Sequence, residues 1–156
     1  RFVADTLMAP LAELAEAFGV QCVVVGIDSL RDPDGEWRVR QYTGDPHKTR
    51  SLDRRTLDWV GEVLSLGAGE IVLNCMAADG ARQGYDLEQL KAVRAVCPVP
   101  LVASGGAGEA AHFAQVFLEA DVDAALAASV FHTGALPIPV LKKYLREQHI
   151  EVRDVA

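Results

Sequence analysis

Two stretches of small residues have the composition of an anion-binding site. The first, Ser104–Gly108 (SGGAG), lies where a predicted strand meets a helix, and the second, Ala128-Ser129, ends the next predicted strand. Glycines at such junctions allow backbone N–H groups to approach an anion at the positive end of a helix. The alternative is a tight turn in which glycine only relieves strain. Because two junctions of this kind follow each other, we favour a phosphate site.

Asp28 is the candidate for proton transfer. It directly follows an apolar run that ends at Ile27, so its carboxylate can face the mouth of a site as a general acid or base. A helix-cap or turn aspartate is the alternative, and the residue type alone slightly favours it. Asp79-Gly80 is by itself an ordinary turn pair. All these residues follow predicted strands, which favours a site at the strand carboxyl ends.

The cysteines and histidines show no pattern typical of a metal site or an activated nucleophile. Three cysteines, an odd number without metal-ligand spacing, fit a reduced cytosolic protein and are interpreted as core or interface residues: Cys22, Cys75 and Cys97. The four histidines are scattered without ligand spacing. We therefore expect no metal and no cofactor.

Alternating helices and strands must position these residues. A helix over Pro10–Phe18 precedes a Val-rich buried strand at Gln21–Ile27, and Glu36–Tyr42 predicts a small hairpin in the polar stretch that follows. Strand and helix then alternate: a helix near Arg54–Leu66, a strand at Glu70–Asn74, a helix capped by Asp86, a strand at Pro100–Ala103, a further helix, a strand at Asp123–Ala127 and a last helix near Ile138–Gln148. Such repeats predict a parallel sheet, either an open doubly wound sheet or half of an eight-stranded barrel.

Composition limits the class of protein. With 156 residues, of which 50% are hydrophobic, we expect a single domain over residues 1–156 with a hairpin insertion within 29–50. The net charge of −7 argues against a nucleic-acid partner or an anionic membrane surface. No apolar run approaches the roughly 18–20 residues that a membrane span needs, and we expect a cytoplasmic protein.

Longer blocks of the sequence resemble one family. The blocks that carry the resemblance are FGVQCVVVGID, QYTGD, GAGEIVLNCMAADGARQGYDLEQL, VPLVASGGAGEAAHF and DAALAASVFH. In this order they resemble the cyclase subunit of imidazole glycerol phosphate synthase, from Phe18 to the C-terminus. The sister isomerase of histidine biosynthesis also has a glycine-rich phosphate loop, but DGxRxGYD together with LAASVFH is more similar to the cyclase.

The resemblance implies an α/β fold, the (βα)4 half of a TIM (βα)8 barrel with parallel strands. It also implies a lyase that joins ammonia, supplied by a glutaminase partner, to a phosphorylated substrate, a ribulosyl nucleotide. The products are imidazole glycerol phosphate and aminoimidazole carboxamide ribotide. By resemblance, Asp28 is a general acid or base. The resemblance further implies that one phosphate of the substrate contacts Asp79, Gly80, Ser104, Gly106, Ala128 and Ser129, and that Asn74 lines the site.

Only half of the family's pattern is matched, since such barrels have about 250 residues. The other catalytic aspartate and the other phosphate site belong to the absent half. Because the chain begins at Arg1, we expect a fragment, a processed chain or a trimmed protein. Two functions remain open: half of a lyase that needs its other half, or a non-catalytic phosphate-binding half-barrel that self-associates. Open strand edges at Val23–Ile27 and Asp123–Ala127 predict a homodimer.

Overall fold

The helices and strands follow the predicted alternation. A computed structural model describes residues 2–45 and 47–153, so Arg1 lies outside the described residues. The strands are β1 Val24–Arg31, β2 Trp37–Gln41, β3 Arg50–Arg55, β4 Glu70–Cys75, β5 Leu101–Ser104 and β6 Ala124–Leu126. The helices are α1 Phe2–Phe18, α2 Thr56–Ser65, α3 Leu87–Arg94, α4 Ala110–Ala120, α5 Ser129–His132 and α6 Ile138–Glu147. Over the described ranges, none of these helices has the length and apolar character to cross a membrane.

Six strands form one sheet in the order β3-β2-β1-β4-β5-β6. The strands β1, β4, β5 and β6 are parallel and adjacent in chain order, whereas β2 and β3 are antiparallel. Strand β2 pairs with β1 only at Ser29–Arg31, and β6 ends the sheet. Among the described residues, one side of Val24–Asp28 and the outer side of Ala124–Leu126 therefore carry no strand partner.

Helices cover one face of the parallel strands. The side chains on that face are buried: Val25, Ile27, Ile71, Leu73, Leu101 and Ala103. On the opposite face Val24 and Leu126 are 53% and 48% exposed. A doubly wound sheet reverses its strand order and has helices on both faces, whereas a barrel keeps chain order and has helices outside only. The predicted α/β fold, a partial barrel of parallel strands, is confirmed.

The first helix and strand begin elsewhere than predicted. Helix α1 begins at Phe2, so Pro10 lies inside it rather than in its first turn. Helix α1 ends before Gly19, whose backbone φ of 87° is not helical. Residues Val20–Cys22 then form one turn of 3-10 helix. Strand β1 consequently runs from Val24 to Arg31 instead of Gln21–Ile27, and Asp28 lies within the strand.

The predicted hairpin is part of a larger antiparallel extension. The turn at Pro33–Gly35 connects β1 with β2, and it is closed by hydrogen bonds from Asp32 N to Glu36 O and from Gly35 N to Asp32 O, both 2.9 Å long. Strand β3 pairs with the other side of β2 and continues to Arg55. The insertion thus extends beyond the predicted range of 29–50.

A buried arginine anchors this extension. Arg40, whose side chain is only 6% exposed, donates from Nη2 to Asp32 Oδ1. Arg38 Nη1 lies 3.1 Å from Asp32 Oδ2. The hydrogen bond from Arg40, aided by the one from Arg38, holds the pKa of Asp32 below its ordinary value. Asp32 therefore stabilises the folded chain in its ionised form.

We expect Asp32→Asn to lower the free energy of unfolding at neutral pH by on the order of 1 kcal/mol, because Arg40 keeps its charge without a counterion. Because the pKa of Asp32 is lower in the folded chain than in the unfolded chain, its ionised carboxylate stabilises the fold at any pH above the unfolded pKa. This stabilisation is lost as the pH falls through the folded pKa. Urea unfolding at pH 7 and at the lowest pH at which the chain remains folded measures this. The parent and the variant should differ at pH 7 and converge in acid. Equal midpoints at pH 7 would contradict the role of Asp32.

Candidate functional site

Polar side chains form one layer across the carboxyl ends of the parallel strands. The strand register places Asp28 beside Asn74, Asn74 beside Ser104, and Ser104 beside Leu126. These residues lie on the face without helices, since Ile27 and its counterparts on the other strands are buried on the helical face. The structure thus brings three of the predicted site residues, Asp28, Asn74 and Ser104, onto neighbouring positions of one surface.

Both carboxylate oxygens of Asp28 are held by neutral donors. Asn74 Nδ2 donates to Asp28 Oδ1 at 2.8 Å. Thr43 Oγ1 donates to Asp28 Oδ2 from the loop that follows β2. The carboxylate is only partly buried, so it is oriented and still accessible. Sequence reasoning missed Thr43, whose only signal was its place in the QYTGD block.

A buried hydrogen-bond network lies behind Asp28, on the helical face. Ser29 Oγ is 2.7 Å from Thr56 Oγ1 at the start of α2, and Gln89 Nε2 in α3 donates to Ser29 Oγ. The predicted cap of α3 is confirmed, because Gln89 N donates to Asp86 Oδ1 at 3.0 Å. The network joins the end of β1 to two helices and so fixes the backbone that carries Asp28. Nothing local in the sequence pointed to the contacts of Ser29 with Thr56 and Gln89.

The glycine-rich loop after β5 packs tightly against the loop after β4. Gly106 has a φ of 113°, and a Cβ atom there would lie 2.0 Å from the carbonyl oxygen of Gly84. Gly84 N also donates to Gly106 O at 2.9 Å. A Cβ atom on Gly105, whose φ is 93°, would lie 2.9 Å from Cys75 O. Only glycine fits these positions, so close packing of the two loops demands these residues independently of any ligand.

Several backbone donors at this edge have no protein acceptor within the described ranges. In the described part of the chain, the N–H groups of Gly80, Gly106 and Ser129 donate to no protein acceptor. By contrast, Gly108 N donates to His112 Nδ1 at 3.0 Å, which gives His112 a structural role. Free amides on successive loops are the arrangement that binds an oxyanion through main-chain groups.

The remaining predicted phosphate contacts differ in what they can offer. Asp79 N donates to Cys75 O at 3.1 Å, so this amide is engaged, and the Asp79 side chain is exposed. The carbonyl of Ala128 accepts from Phe131 N and His132 N and thereby starts α5, a short helix that the sequence did not predict. Asp79 can therefore contact an anion only through its side chain, whereas the N–H group of Ala128 donates to no acceptor among the described residues.

The cysteines are divided between core and surface. Cys75 and Cys97 are buried, as predicted, and burial raises the pKa of both thiols, so neither is an activated nucleophile. Cys22 is exposed, so of the two predicted positions, core or interface, the core is excluded. It lies in the 3-10 turn that replaced the predicted beginning of β1.

Comparison with known proteins identifies the family. The family model described as histidine biosynthesis protein matches residues 3–137. The imidazole glycerol phosphate synthase subunit HisF of Xanthomonas euvesicatoria is 72% identical over 144 residues, which are 92% of this chain and 56% of that protein. The subunit HisF of Xylella fastidiosa is 69% identical over 147 residues, or 94% of this chain and 57% of that protein. The chain spans about half the length of these relatives. The resemblance to the cyclase subunit is confirmed, and the chain belongs to the histidine biosynthesis protein family.

Proposed function

We propose that this chain, as a single half-barrel domain, is the second half of the cyclase subunit of imidazole glycerol phosphate synthase. The subunit joins ammonia to a ribulosyl aminoimidazole-carboxamide nucleotide and releases imidazole glycerol phosphate and aminoimidazole carboxamide ribotide. The observation that carries the proposal is Asp28. Its carboxylate is held by Asn74 and Thr43 in the polar layer of a chain 72% identical to such a subunit.

Asp28 is the general acid or base of this half. Its two oxygens are directed by Asn74 and Thr43, so one lone pair of each remains available at the open face of the sheet. A carboxylate in this position can accept a proton from the attacking nitrogen and return it to the departing group. The second carboxylate of the reaction belongs to the other half of the barrel.

The amides of Gly80, Gly106 and Ser129 bind one phosphate of the substrate. Asp79, Ser104, Ala128 and Asn74 surround that phosphate and the adjoining part of the substrate. The substrate carries a phosphate at each end, and this chain provides a site for one of them. We therefore expect no appreciable turnover from the chain alone.

The partners follow from the same reaction. A glutaminase subunit supplies ammonia through the completed barrel, in the cytoplasm. The net charge of −7 favours neither nucleic acid nor an anionic membrane as a partner. On its own, the chain forms a homodimer through its open edges.

A second candidate function is a phosphate-binding half-barrel that self-associates without turnover. The exposed apolar side chains of Val24 and Leu126, one on each edge strand of the parallel strands, favour it, because exposed apolar surface favours association. Both functions include the phosphate site. They differ in whether the completed barrel turns over substrate.

Titration with inorganic phosphate tests the site that both functions share. We expect amide resonances of Gly80, Gly106 and Ser129 to shift in saturable fashion in a two-dimensional NMR spectrum, because these N–H groups receive the anion. Resonances at the opposite end of the strands should not move. Shifts confined to lysine and arginine side chains elsewhere would contradict the site.

A chimera tests the catalytic proposal. The segment of the Xanthomonas euvesicatoria subunit that matches this chain is replaced by the chain itself, and cyclisation is measured with the nucleotide substrate and ammonium salt. We expect turnover, since the chain is 72% identical to the segment that it replaces. A folded chimera that binds phosphate and has no turnover would support the second candidate function instead.

A further inference from the structure

Arg82 is an exposed cation beside the amides proposed to bind phosphate. Its Nε donates to Ser129 Oγ at 3.3 Å, which joins the loop after β4 to the start of α5. Among the residues that the structure describes, Arg82 forms no ion pair with a carboxylate. Its charge therefore remains available at the mouth of the glycine-rich loops.

The backbone at Arg82 is held in an unusual conformation by its neighbours. Its φ of 56° lies in the left-handed region, which a side chain with a Cβ atom rarely adopts. Gly108 packs directly against it, since a Cβ atom on Gly108 would lie 2.1 Å from Arg82 O. On the other side of Gly84, Tyr85 OH donates to Leu126 O at 3.0 Å. These contacts hold the backbone of the loop, and the bond from Arg82 Nε to Ser129 Oγ directs the side chain toward Ser129.

A positive charge near these amides would strengthen their binding of phosphate. The chain carries a net charge of −7, and the exposed carboxylate of Asp79 lies three residues before Arg82 in the same loop. Backbone amides supply only partial charges, so Asp79 opposes the approach of a dianion. A guanidinium has five donors in a planar fork, and the bond to Ser129 uses one of them.

We propose that Arg82 is a phosphate-binding residue, whose guanidinium completes the site formed by the amides of Gly80, Gly106 and Ser129. The inference rests on the proposed function, since it requires that phosphate binds there. Arg82 supplies the full positive charge that the three amides lack. Through Ser129 its side chain is already oriented before the anion arrives.

The test is calorimetric titration of inorganic phosphate into the 156-residue chain and its variants. We expect Arg82→Gln to weaken binding about tenfold or more, because a charge-assisted hydrogen bond is lost, and Arg82→Lys to retain most of the affinity. Lys143→Gln is the control, because it removes the same charge from an exposed position on α6. Added chloride should weaken binding to the parent more than binding to Arg82→Gln.

Binding by the parent chain tests the phosphate site, and binding by the variants tests the role of Arg82. If the parent binds phosphate and Arg82→Gln binds as well as Lys143→Gln, the inference is overturned and the site stands. If the parent does not bind phosphate, both are overturned. Should Arg82→Gln fail to fold, Arg82→Asn replaces it, since asparagine tolerates the left-handed backbone better. It should then show the same weakened affinity.

Discussion

Replacing Asp28 with asparagine in the chimera is expected to lower the cyclisation rate by about 10²–10⁴-fold. The amide has nearly the same shape, and its oxygen can still accept a hydrogen bond from Asn74, but it cannot take up and return a proton. The rate constant at saturating substrate and ammonium measures the effect. Phosphate binding should remain within a few-fold of the parent, because the carboxylate does not belong to the amide site.

Asp121→Asn is the matched control for this substitution. Asp121 is exposed at the end of α4 with a φ of 52°, a conformation that asparagine adopts readily. The same chemical change there should leave turnover unaltered. If Asp28→Asn kept turnover within a few-fold of the parent, Asp28 would be a structural residue that orients Asn74 and Thr43.

The order of the parallel strands could be predicted because each contains a short apolar run, and helices with an apolar face separate these runs along the chain. Strand β3 could not be predicted in this way. Its sequence, RSLDRR, is mostly charged and mostly exposed, as is typical of an edge strand that resists further pairing. Hydrophobic periodicity carries no signal for such a strand, so only its pairing with β2 reveals it.

The site residues that could be predicted from the sequence are those that follow apolar runs of neighbouring parallel strands. Asp28, Asn74 and Ser104 lie in register toward the carboxyl ends of neighbouring parallel strands, and strands of this kind bring these ends together. Thr43 contacts Asp28 from 15 residues away, and Gln89 contacts Ser29 from 60 residues away. Such contacts depend on how the loop and the helices pack, which local sequence does not encode.

The 156-residue chain on its own is expected to form a two-fold homodimer. Two strand edges are open, at Val24–Asp28 and at Ala124–Leu126, and an apolar cavity of about 190 Å³ lies between α1, α2 and β1. On the face without helices, Val24 and Leu126 are about half exposed. Unpaired edges and apolar surface of this kind favour association, and a two-fold axis would pair each edge with the opposite edge of the partner.

Light scattering on a sizing column at tens of micromolar measures this association. Leu126→Lys places a charge on the open face next to the edge of β6. We therefore expect the variant to elute as a folded monomer, or to form a weaker dimer that dissociates at concentrations at which the parent is still dimeric. Leu118→Lys is the control, because Leu118 is 64% exposed on α4, among the helices that cover the other face. It should remain dimeric. A parent chain that stays monomeric and well folded would show that the edges need no partner. That result would contradict the self-association on which the second candidate function depends. The chimera would still test the first candidate function, the cyclase.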